Sequence, residues 1–363
     1  MIAQVLERAG AGERLGEEEG VRLLREAPLL ELGRAADEVR RRLHPDNRVT
    51  FVVDRNINYS NICTMGCRFC AFHRLPGDPE GYVLSREEIF EKIREAVELG
   101  ATQILMQGGI NPDLDLAWFE ELLSSIRERF PVHIHSLSPP EVAYLARREK
   151  LPVRTVLERL RRAGLASVPG GGAEILDDRV RREISPRKID TAAWLAVMRE
   201  AHLLGMRSSA TMMFGTVETD QELVRHLLRL RQLQDETGGF TAFIPWSFQP
   251  GNTDLGGEEA SGQRYLRVLA VSRLILDNIP NLQVSWVTQG AAMAQVALYF
   301  GANDFGGTML EENVVRAAGV DYRIPREEIL RAIRETGRVP AKRDTLYRIL
   351  EEYGANPAGP AAR

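Results

Sequence analysis

The stretch RVTFVVDRNINYSNICTMGCRFCAFHR, residues 48–74, joins an apolar strand pattern to a loop that holds every cysteine of the chain. Cys63, Cys67 and Cys70 lie within eight positions of one another. Three is an unusual number, because disulfides consume cysteines in pairs and a closed zinc site or a fully ligated iron–sulfur cluster takes four ligands. A site built on these thiolates has either borrowed a fourth ligand or left one position open.

A strand–helix alternation starts with this stretch and continues through most of the chain. Eight apolar segments, each followed by helical spacing of apolar residues, are predicted strands: RVTFVVDRNI, ATQILMQGG, VHIHSLS, ASVPGGG, MRSSATMMFG, FTAFIPW, LQVSWV and NDFGG. This order with short connections predicts an α/β fold, a (βα)8 TIM-type barrel of parallel strands, with an open doubly wound sheet as the alternative. The catalytic face of such a barrel lies on the loops after the strands, where the cysteine loop falls.

The chain divides into three predicted parts. Residues 1–47 form an N-terminal helical extension, which ends where His44 and Pro45 break the helical pattern. Residues 48–319 form the barrel, and residues 320–363 form a C-terminal helical segment with a mobile tail.

The composition is that of a water-soluble globular enzyme or binding protein. Of the 363 residues 44% are hydrophobic and 27% charged, and the formal net charge is −4. Nothing here indicates a nucleic-acid surface, and no apolar run reaches the roughly 18 residues expected of a membrane span. The N-terminal sequence lacks a signal-peptide layout. We therefore expect a cytoplasmic protein without membrane insertion, where thiols stay reduced.

Two metal sites fit the cysteine loop. His73 completes the pattern C-x3-C-x2-C-x2-H, which would give a structural Cys3His zinc site in a non-catalytic, zinc-stapled binding barrel. Zinc usually staples small, loop-rich pieces, whereas this loop belongs to a barrel with ample core. A 4Fe–4S cluster with one iron free of protein ligands is therefore favoured, with His73 as a neighbouring loop residue. Such an iron accepts a chelating amino and carboxylate group.

The pattern C-x3-C-x2-C after a first barrel strand, with Phe69 before the last cysteine, resembles the radical S-adenosylmethionine superfamily. Further blocks, from about Arg48 to Gly319 and in order, resemble the cyclic dehypoxanthine futalosine synthase family of menaquinone biosynthesis: QILMQGGINPDL, VHIHSLSPPE, PGGGAEILDDRVRREISPRK, TMMFGTVET, ETGGFTAFIPWSFQPGNTDLGG, SWVTQG and GANDFGGTMLEENV. Aminofutalosine synthase and the enzymes that form the deazaflavin chromophore share the cysteine spacing and remain alternatives.

The resemblance implies an oxidoreductase with a 4Fe–4S cluster and S-adenosylmethionine as cofactors. A 5′-deoxyadenosyl radical would take the ribose 4′ hydrogen of dehypoxanthine futalosine, and the carbon radical would close a spiro ring on the aromatic ring. Loss of a proton and an electron would restore aromaticity. The expected partners are this small-molecule substrate and a reductant such as flavodoxin or ferredoxin.

The resemblance also suggests residues for the two cofactors. The cluster ligands would be Cys63, Cys67 and Cys70, with Phe69 against the adenine. Glycines at the end of a strand allow close backbone approach to a ligand, although they also serve plain turns. The remaining expected contacts to S-adenosylmethionine are Gly108, Gly109, Glu174 and Arg181.

The proton released on rearomatisation needs a base. His133 and His135 alternate on one strand and therefore share a face, so both are candidates together with Glu174. Polar residues near other strand ends could bind the substrate or simply cap helices. Arg55 is the candidate partner of the substrate carboxylate, and the other substrate-binding candidates are Gln249, Thr288, Gln289, Asn303, Asp304 and Glu312.

Overall fold

The structure is a computed structural model that describes residues 2–354. Its helices, numbered α1 to α14 in chain order, are Ile2–Ala11, Glu17–Glu26, Leu29–Leu43, Arg86–Glu98, Leu116–Arg129, Pro139–Glu149, Val153–Ala163, Asp178–Ile184, Thr191–Leu203, Asp220–Thr237, Gly262–Ile275, Trp286–Ala297, Val314–Ala317 and Arg326–Glu335. A short 3-10 turn follows α12 at Leu298–Phe300. None of these helices is both long and apolar enough to cross a membrane.

The strands, numbered β1 to β11 in chain order, are Arg48–Val52, Asp54–Ile57, Gln103–Met106, His133–Ser136, Ser167–Val168, Arg207–Phe214, Phe240–Ser247, Asn281–Leu282, Asp304–Gly307, Val339–Arg343 and Ile349–Glu352. Strands β2 to β8 form one sheet in chain order, with every pair parallel. Strand β1 pairs with β9 on one side and with β10 on the other, and both pairings are parallel.

The two sheets join into a barrel at two places. Only Val53 separates β1 from β2, so the first strand passes from one sheet to the other. On the opposite side, Gln283 after β8 forms a parallel bridge with Asp304 of β9. The amide of Val284 also donates to the carbonyl oxygen of Asp304 at 3.0 Å. The eight strand positions therefore follow one another around a ring, which confirms the TIM-type fold and rules out the open doubly wound sheet.

Local sequence explains where the helices around the barrel begin. At the start of α4, the Ser85 hydroxyl accepts a hydrogen bond from the Glu88 amide at 3.2 Å, and the Glu88 carboxylate accepts one from the Ser85 amide at 2.7 Å. Thr219 and Glu222 form the same reciprocal pair before α10. These capping boxes satisfy amides that have no partner within the helix.

The N-terminal extension covers the outside of the barrel. Helices α2 and α3 bury Leu23 and Leu32 completely, in the same hydrophobic core as the barrel strands and helices. At Gly20 a Cβ would come within 2.9 Å of Val224 on α10 and Ile275 on α11, so α2 lies close against both helices.

Two parts of the chain differ from the sequence prediction. The seventh strand ends earlier than expected, and helix α12 begins at Trp286 within the predicted strand. After α14 the C-terminal segment is not helical but forms the hairpin of β10 and β11. Strand β10 pairs with β1, which lies almost 300 residues away in sequence, so no local sequence pattern predicts it. The predicted mobile tail lies almost wholly in residues 355–363, outside the described residues.

Candidate active site

A cavity of about 410 Å³ lies inside the barrel. The three cysteines line it at the end of the barrel where the carboxyl ends of the strands meet, as expected for the catalytic face. At the other end it is lined by Arg343, the last residue of β10, and by Thr345 and Tyr347 in the turn after it. The C-terminal hairpin therefore contributes the floor of a cavity whose mouth carries the cysteine loop.

Backbone hydrogen bonds hold the cysteine loop in place. The amide of Cys63 donates to the carbonyl of Arg74 at 2.8 Å, and the amide of Arg68 donates to the carbonyl of Ile184 at 2.9 Å. At Gly109, after β3, a Cβ would lie 2.2 Å from the carbonyl oxygen of Ile62. Only glycine allows β3 to approach the loop so closely. Gly108 also allows a close contact, since a Cβ at this position would lie 2.5 Å from the Tyr59 ring.

The three thiols differ in their surroundings. Burial raises the pKa of Cys63, and it raises that of Cys67 to about 12. Burial acts in the same direction on Cys70, but hydrogen bonds from His73 outweigh it and lower the pKa of Cys70. Nδ1 of His73 also donates to the carbonyl oxygen of Cys70 at 2.8 Å. His73 therefore supports the loop, as expected, through the residue that bears the third thiol.

A partly buried ion pair stands beside the cysteines. Nζ of Lys188 lies 2.6 Å from Oε1 of Glu174 and 5.0 Å from the centre of the Phe69 ring. Burial acts to lower the pKa of Lys188, but Cys67 and Glu174 outweigh it and the pKa is raised. Oε2 of Glu174 is buried and has no hydrogen-bond partner within residues 2–354. Such an oxygen suits a ligand that brings its own hydrogen-bond donor.

Sequence reasoning missed Lys188, although a signal was present. Of the 47 basic residues only four are lysines, so a lysine in the block PGGGAEILDDRVRREISPRK stands out. It also missed Asp54, a buried carboxylate on β2 that lines the cavity. Burial raises the pKa of Asp54, which accepts hydrogen bonds from the Met309 amide at 3.0 Å and the Gln103 side chain at 3.2 Å.

The two histidines of β4 both point into the barrel, but at different depths. His135 lines the cavity, whereas His133 is half-buried below it, next to Asp344 and Arg348 of the C-terminal hairpin. Both rings bind the same hydroxyl, that of Ser167 on β5: Nε2 of His133 at 2.7 Å and Nδ1 of His135 at 2.6 Å. Burial lowers the pKa of His133 to about 4 and that of His135 to about 3.

Several of the residues predicted from sequence do come together around the cavity. Its lining includes Phe69, Gly108, Gly109, His135, Glu174, Thr288 and Glu312. Burial raises the pKa of Glu312, whose carboxylate accepts from the Asn56 side chain at 3.0 Å and from the Val315 amide at 2.9 Å. The helix-start contact anticipated for such residues is therefore present, although Glu312 also faces the cavity.

Two of the predicted arginines do not reach the cavity. Arg55 points away from the barrel interior and pairs with Glu311 at 2.9 Å and Glu95 at 2.6 Å, because its neighbours Asp54 and Asn56 take the inward positions of β2. Arg181 is buried, and its guanidinium donates to main-chain carbonyls, including that of Ala173 at 2.6 Å. Its guanidinium thus holds the loop after β5.

Four further substrate candidates are occupied elsewhere. Gln249 and Gln289 both donate to the hydroxyl of Ser247, at 3.1 Å and 2.6 Å. Asn303 accepts from Arg273 at 2.8 Å, and Asp304 forms a buried two-pronged ion pair with Arg343 at 2.6 and 2.9 Å. None of the four lines the cavity. Hydrogen bonds and ion pairs within the protein occupy these side chains, and position at a strand end alone could not reveal them.

Comparison with known proteins decides the family. The sequence profile of the Radical SAM superfamily matches residues 57–230, and that of the CofH/MqnC C-terminal region matches residues 237–355. A cyclic dehypoxanthine futalosine synthase of Halalkalibacterium halodurans is 47% identical over 97% of this chain and 96% of its own. The chain belongs to the radical S-adenosylmethionine superfamily. It is therefore an enzyme, and a non-catalytic zinc-stapled barrel is excluded.

Other relatives carry two different names. A cyclic dehypoxanthine futalosine synthase of Streptomyces coelicolor is 45% identical, over 95% of this chain and 88% of its own. A 5-amino-6-(D-ribitylamino)uracil–L-tyrosine 4-hydroxyphenyl transferase of Methanosarcina mazei is 43% identical, over 97% of this chain and 94% of its own. Among solved structures, the hydrogenase maturase HydG of Carboxydothermus hydrogenoformans has a TM-score of 0.75 at 18% identity, over 96% of this chain and 80% of its own. This structural similarity supports the TIM-type barrel fold.

The cofactors of this radical S-adenosylmethionine enzyme are a 4Fe–4S cluster and S-adenosylmethionine. The donor set fits the cluster, because three free thiols line one cavity and each can bind one iron. Within residues 2–354, no group of three or more His, Cys, Asp and Glu side chains is arranged to hold a single metal ion.

Proposed function

We propose that the enzyme converts dehypoxanthine futalosine to cyclic dehypoxanthine futalosine in the futalosine route to menaquinone. The observation that carries this proposal is the near full-length match to cyclic dehypoxanthine futalosine synthases of two bacteria, at 47% and 45% identity. When bound, the two cofactors supply a 5′-deoxyadenosyl radical that abstracts a hydrogen atom. The protein's own share is to bind, orient and deprotonate the substrate inside the barrel.

The cysteine end of the cavity would hold the cofactors. The cluster would be bound by Cys63, Cys67 and Cys70, leaving one iron for S-adenosylmethionine. The second carboxylate oxygen of Glu174 would accept a hydrogen bond from the ammonium or ribose hydroxyls of that ligand, since this oxygen has no protein partner within residues 2–354. Lys188 would hold the Glu174 carboxylate in its orientation through the 2.6 Å contact.

The rest of the cavity would take the organic substrate. Apolar and aromatic walls, including Trp246 and Trp286, suit the substrate's aromatic ring, and Thr288, Gln283 and Glu312 offer hydrogen-bonding groups for ribose hydroxyls. The closed floor at Arg343 and Tyr347 would exclude water from a reactive carbon radical. The indole of Trp286 is fixed by a hydrogen bond to the carbonyl of Gly307 at 2.9 Å, so this wall is preorganised.

A second candidate function follows from the archaeal relatives. The Methanosarcina mazei transferase matches over almost the whole chain at 43% identity, and its name describes transfer of the 4-hydroxyphenyl part of tyrosine to a ribitylaminouracil. That substrate also combines an aromatic ring with a polyhydroxylated chain. The same cavity therefore suits both reactions, and the difference in identity between the two groups of relatives is small.

Product analysis separates the two candidates. The reconstituted enzyme is incubated without oxygen with S-adenosylmethionine, a reductant and either dehypoxanthine futalosine or 5-amino-6-(D-ribitylamino)uracil plus tyrosine. We expect a product two hydrogens lighter than dehypoxanthine futalosine and no conjugate of the uracil with the tyrosine side chain. The opposite result would assign the enzyme to the transferase reaction.

A further inference from the structure

The hydrogen bonds of β4, β5 and β6 form a continuous chain from the cavity to the lower end of the barrel. It runs from Ser209 through His135 and Ser167 to His133. The distances are 3.4 Å between Ser209 Oγ and His135 Nε2, 2.6 Å between His135 Nδ1 and Ser167 Oγ, and 2.7 Å between Ser167 Oγ and His133 Nε2. Ser209 and His135 line the cavity, and Ser167 is fully enclosed.

The relay needs one particular order of donors along this chain. The amide of Gly170 donates to Ser209 Oγ at 3.1 Å, and in this order the Ser209 hydroxyl donates to Nε2 of His135. A neutral imidazole has one N–H and one lone pair, so His135 then carries its proton on Nδ1 and donates to Ser167. The Ser167 hydroxyl in turn donates to Nε2 of His133. His133 therefore also carries its proton on Nδ1.

The far end of the chain is open to water. His133 is half-buried, and its charged neighbours are Asp344 and Arg348; 76% of the Arg348 side chain is exposed. His135 faces His133 and Arg343 as its charged or titratable neighbours. Burial lowers the pKa of both rings, so both are neutral at physiological pH. A neutral ring has one protonated and one unprotonated nitrogen, which is the state that can accept a proton on one side and release one on the other.

We infer that His135, Ser167 and His133 form a proton relay that carries the proton released on rearomatisation from the cavity to the lower end of the barrel. This inference rests on the proposed cyclisation. The Ser209 hydroxyl turns away from Nε2 of His135, and the ring carbon that has formed the new bond loses its C–H proton to that nitrogen. The Nδ1 proton of His135 passes to Ser167, the Ser167 hydroxyl proton passes to Nε2 of His133, and the Nδ1 proton of His133 passes to water.

The step balances. The C–H electron pair stays in the ring, and one electron leaves to an iron–sulfur acceptor, which restores aromaticity. Overall, substrate and S-adenosylmethionine give cyclic product, methionine, 5′-deoxyadenosine and one proton. A weakly basic imidazole is sufficient as the first acceptor, because the oxidised, non-aromatic ring is a strong carbon acid. Reorientation of the hydroxyl and the rings then restores the starting order of donors.

The relay is tested first by the product ratio of loaded enzyme with dehypoxanthine futalosine. Ser167→Ala interrupts the chain, so we expect the amount of 5′-deoxyadenosine per cyclic product to rise about tenfold or more, in the range of acid–base contributions to rate. Ser167→Thr keeps the hydroxyl and should retain the wild-type ratio. Ser136→Ala is the matched control, since Ser136 is a buried serine on the neighbouring strand β4 but donates to the carbonyl of Met106 at 2.6 Å. An unchanged ratio in Ser167→Ala would overturn the relay.

A second measurement does not depend on the substrate. Nitrogen-15 NMR of the histidines in the loaded, oxidised wild-type enzyme should show both His133 and His135 protonated on Nδ1. Different tautomers on the two rings would break the donor order and overturn the relay, whatever the reaction. If the wild type makes no cyclic product but both rings have the expected tautomer, the proposed function fails and the hydrogen-bonded chain stands.

Discussion

Nζ of Lys188 lies 2.6 Å from Oε1 of the buried Glu174, and this pair stands beside the cysteine loop. The two residues are only 14 positions apart in sequence, but they reach the cavity from different segments: Glu174 from the loop between β5 and α8, and Lys188 from the connection between α8 and α9. Glu174 adopts a left-handed backbone conformation, with φ of 41°, which few non-glycine residues do. Strain of this kind clusters at functional sites, and here it accompanies the carboxylate with an unpartnered oxygen.

Removing the charge of Glu174 tests its proposed contact with S-adenosylmethionine. Glu174→Gln should weaken binding about ten- to a hundredfold, the usual worth of a hydrogen bond to a charged group. Iron content should stay unchanged, because no thiolate is altered. Equilibrium binding of S-adenosylmethionine to the loaded protein measures the effect, with Glu183→Gln on the exposed face of α8 as the control. Equal affinity in both variants would leave Glu174 as a purely structural residue.

The cysteine loop makes a prediction about metal content. After anaerobic reconstitution the protein should hold about four irons and as many sulfides, and Cys63→Ser, Cys67→Ser or Cys70→Ser should each lose most of them. His73→Ala should keep the cluster, because Nδ1 of His73 is engaged by the Cys70 carbonyl. Iron and sulfide assays with the brown absorbance of the cluster give the readout. If the wild type contained zinc and His73→Ala lost it, the Cys3His zinc site would be the correct interpretation instead.

Gly109 makes a steric prediction about the same loop. In Gly109→Ala the new Cβ would lie 2.2 Å from the carbonyl oxygen of Ile62, so the backbone before Cys63 must move. We expect clearly lower cluster loading at a similar yield of soluble protein. Gly16→Ala, where the nearest atom is 3.9 Å from the new Cβ, should load as the wild type does. Full loading of Gly109→Ala would mean that the loop tolerates the displacement.

The fold was predictable because its signals are local. Apolar strands, capping residues such as Ser85 and the short loops between them each occupy a few positions, and together they indicate the barrel and the place of the cysteines. The same-face arrangement of His133 and His135 also follows from the period of a strand. Position after a strand was a weaker guide, since it did not distinguish Thr288, which lines the cavity, from Asn303, which does not.

The missed features depend on contacts between distant segments. Ser167 meets both histidines because β4 and β5 are neighbours, and nothing in its own segment marks it. Strand β10 exists through its pairing with β1, which brings Arg343 and Tyr347 to the cavity floor. Asp54 belongs to a segment whose apolar pattern predicts only a strand, but its inward position beside Gly307 places a carboxylate in the cavity.

His226 makes a prediction about pH and stability. It is fully buried, its Nδ1 accepts from the amide of Leu176 at 2.9 Å, and burial lowers its pKa to about 3. Between pH 6.5 and 3 the unfolded chain binds more protons at this residue than the folded one. The free energy of unfolding should therefore fall by up to about 1.4 kcal/mol for each pH unit below 6.5.

Urea unfolding between pH 5 and 7.5 measures this dependence. His226→Asn keeps an acceptor for the Leu176 amide but does not titrate. In this variant the free energy of unfolding should change less steeply with pH, by an amount that corresponds to up to one bound proton. Phe243→Leu alters the ring beside His226, 6.2 Å away between centres, and should lower stability without changing the slope. If the free energy of unfolding depends on pH equally in the wild type and in His226→Asn, His226 is not the cause of the pH dependence.

The proposed cyclisation is tested most directly by following one hydrogen. Dehypoxanthine futalosine carrying deuterium at the ribose 4′ carbon is incubated with loaded enzyme, S-adenosylmethionine and a reductant, and both products are examined by mass spectrometry. Our account predicts that the deuterium appears in the methyl group of free 5′-deoxyadenosine and that the cyclic product has lost it. Deuterium that stays on the ribose, or adenosyl carbons that turn up in the organic product, would contradict it.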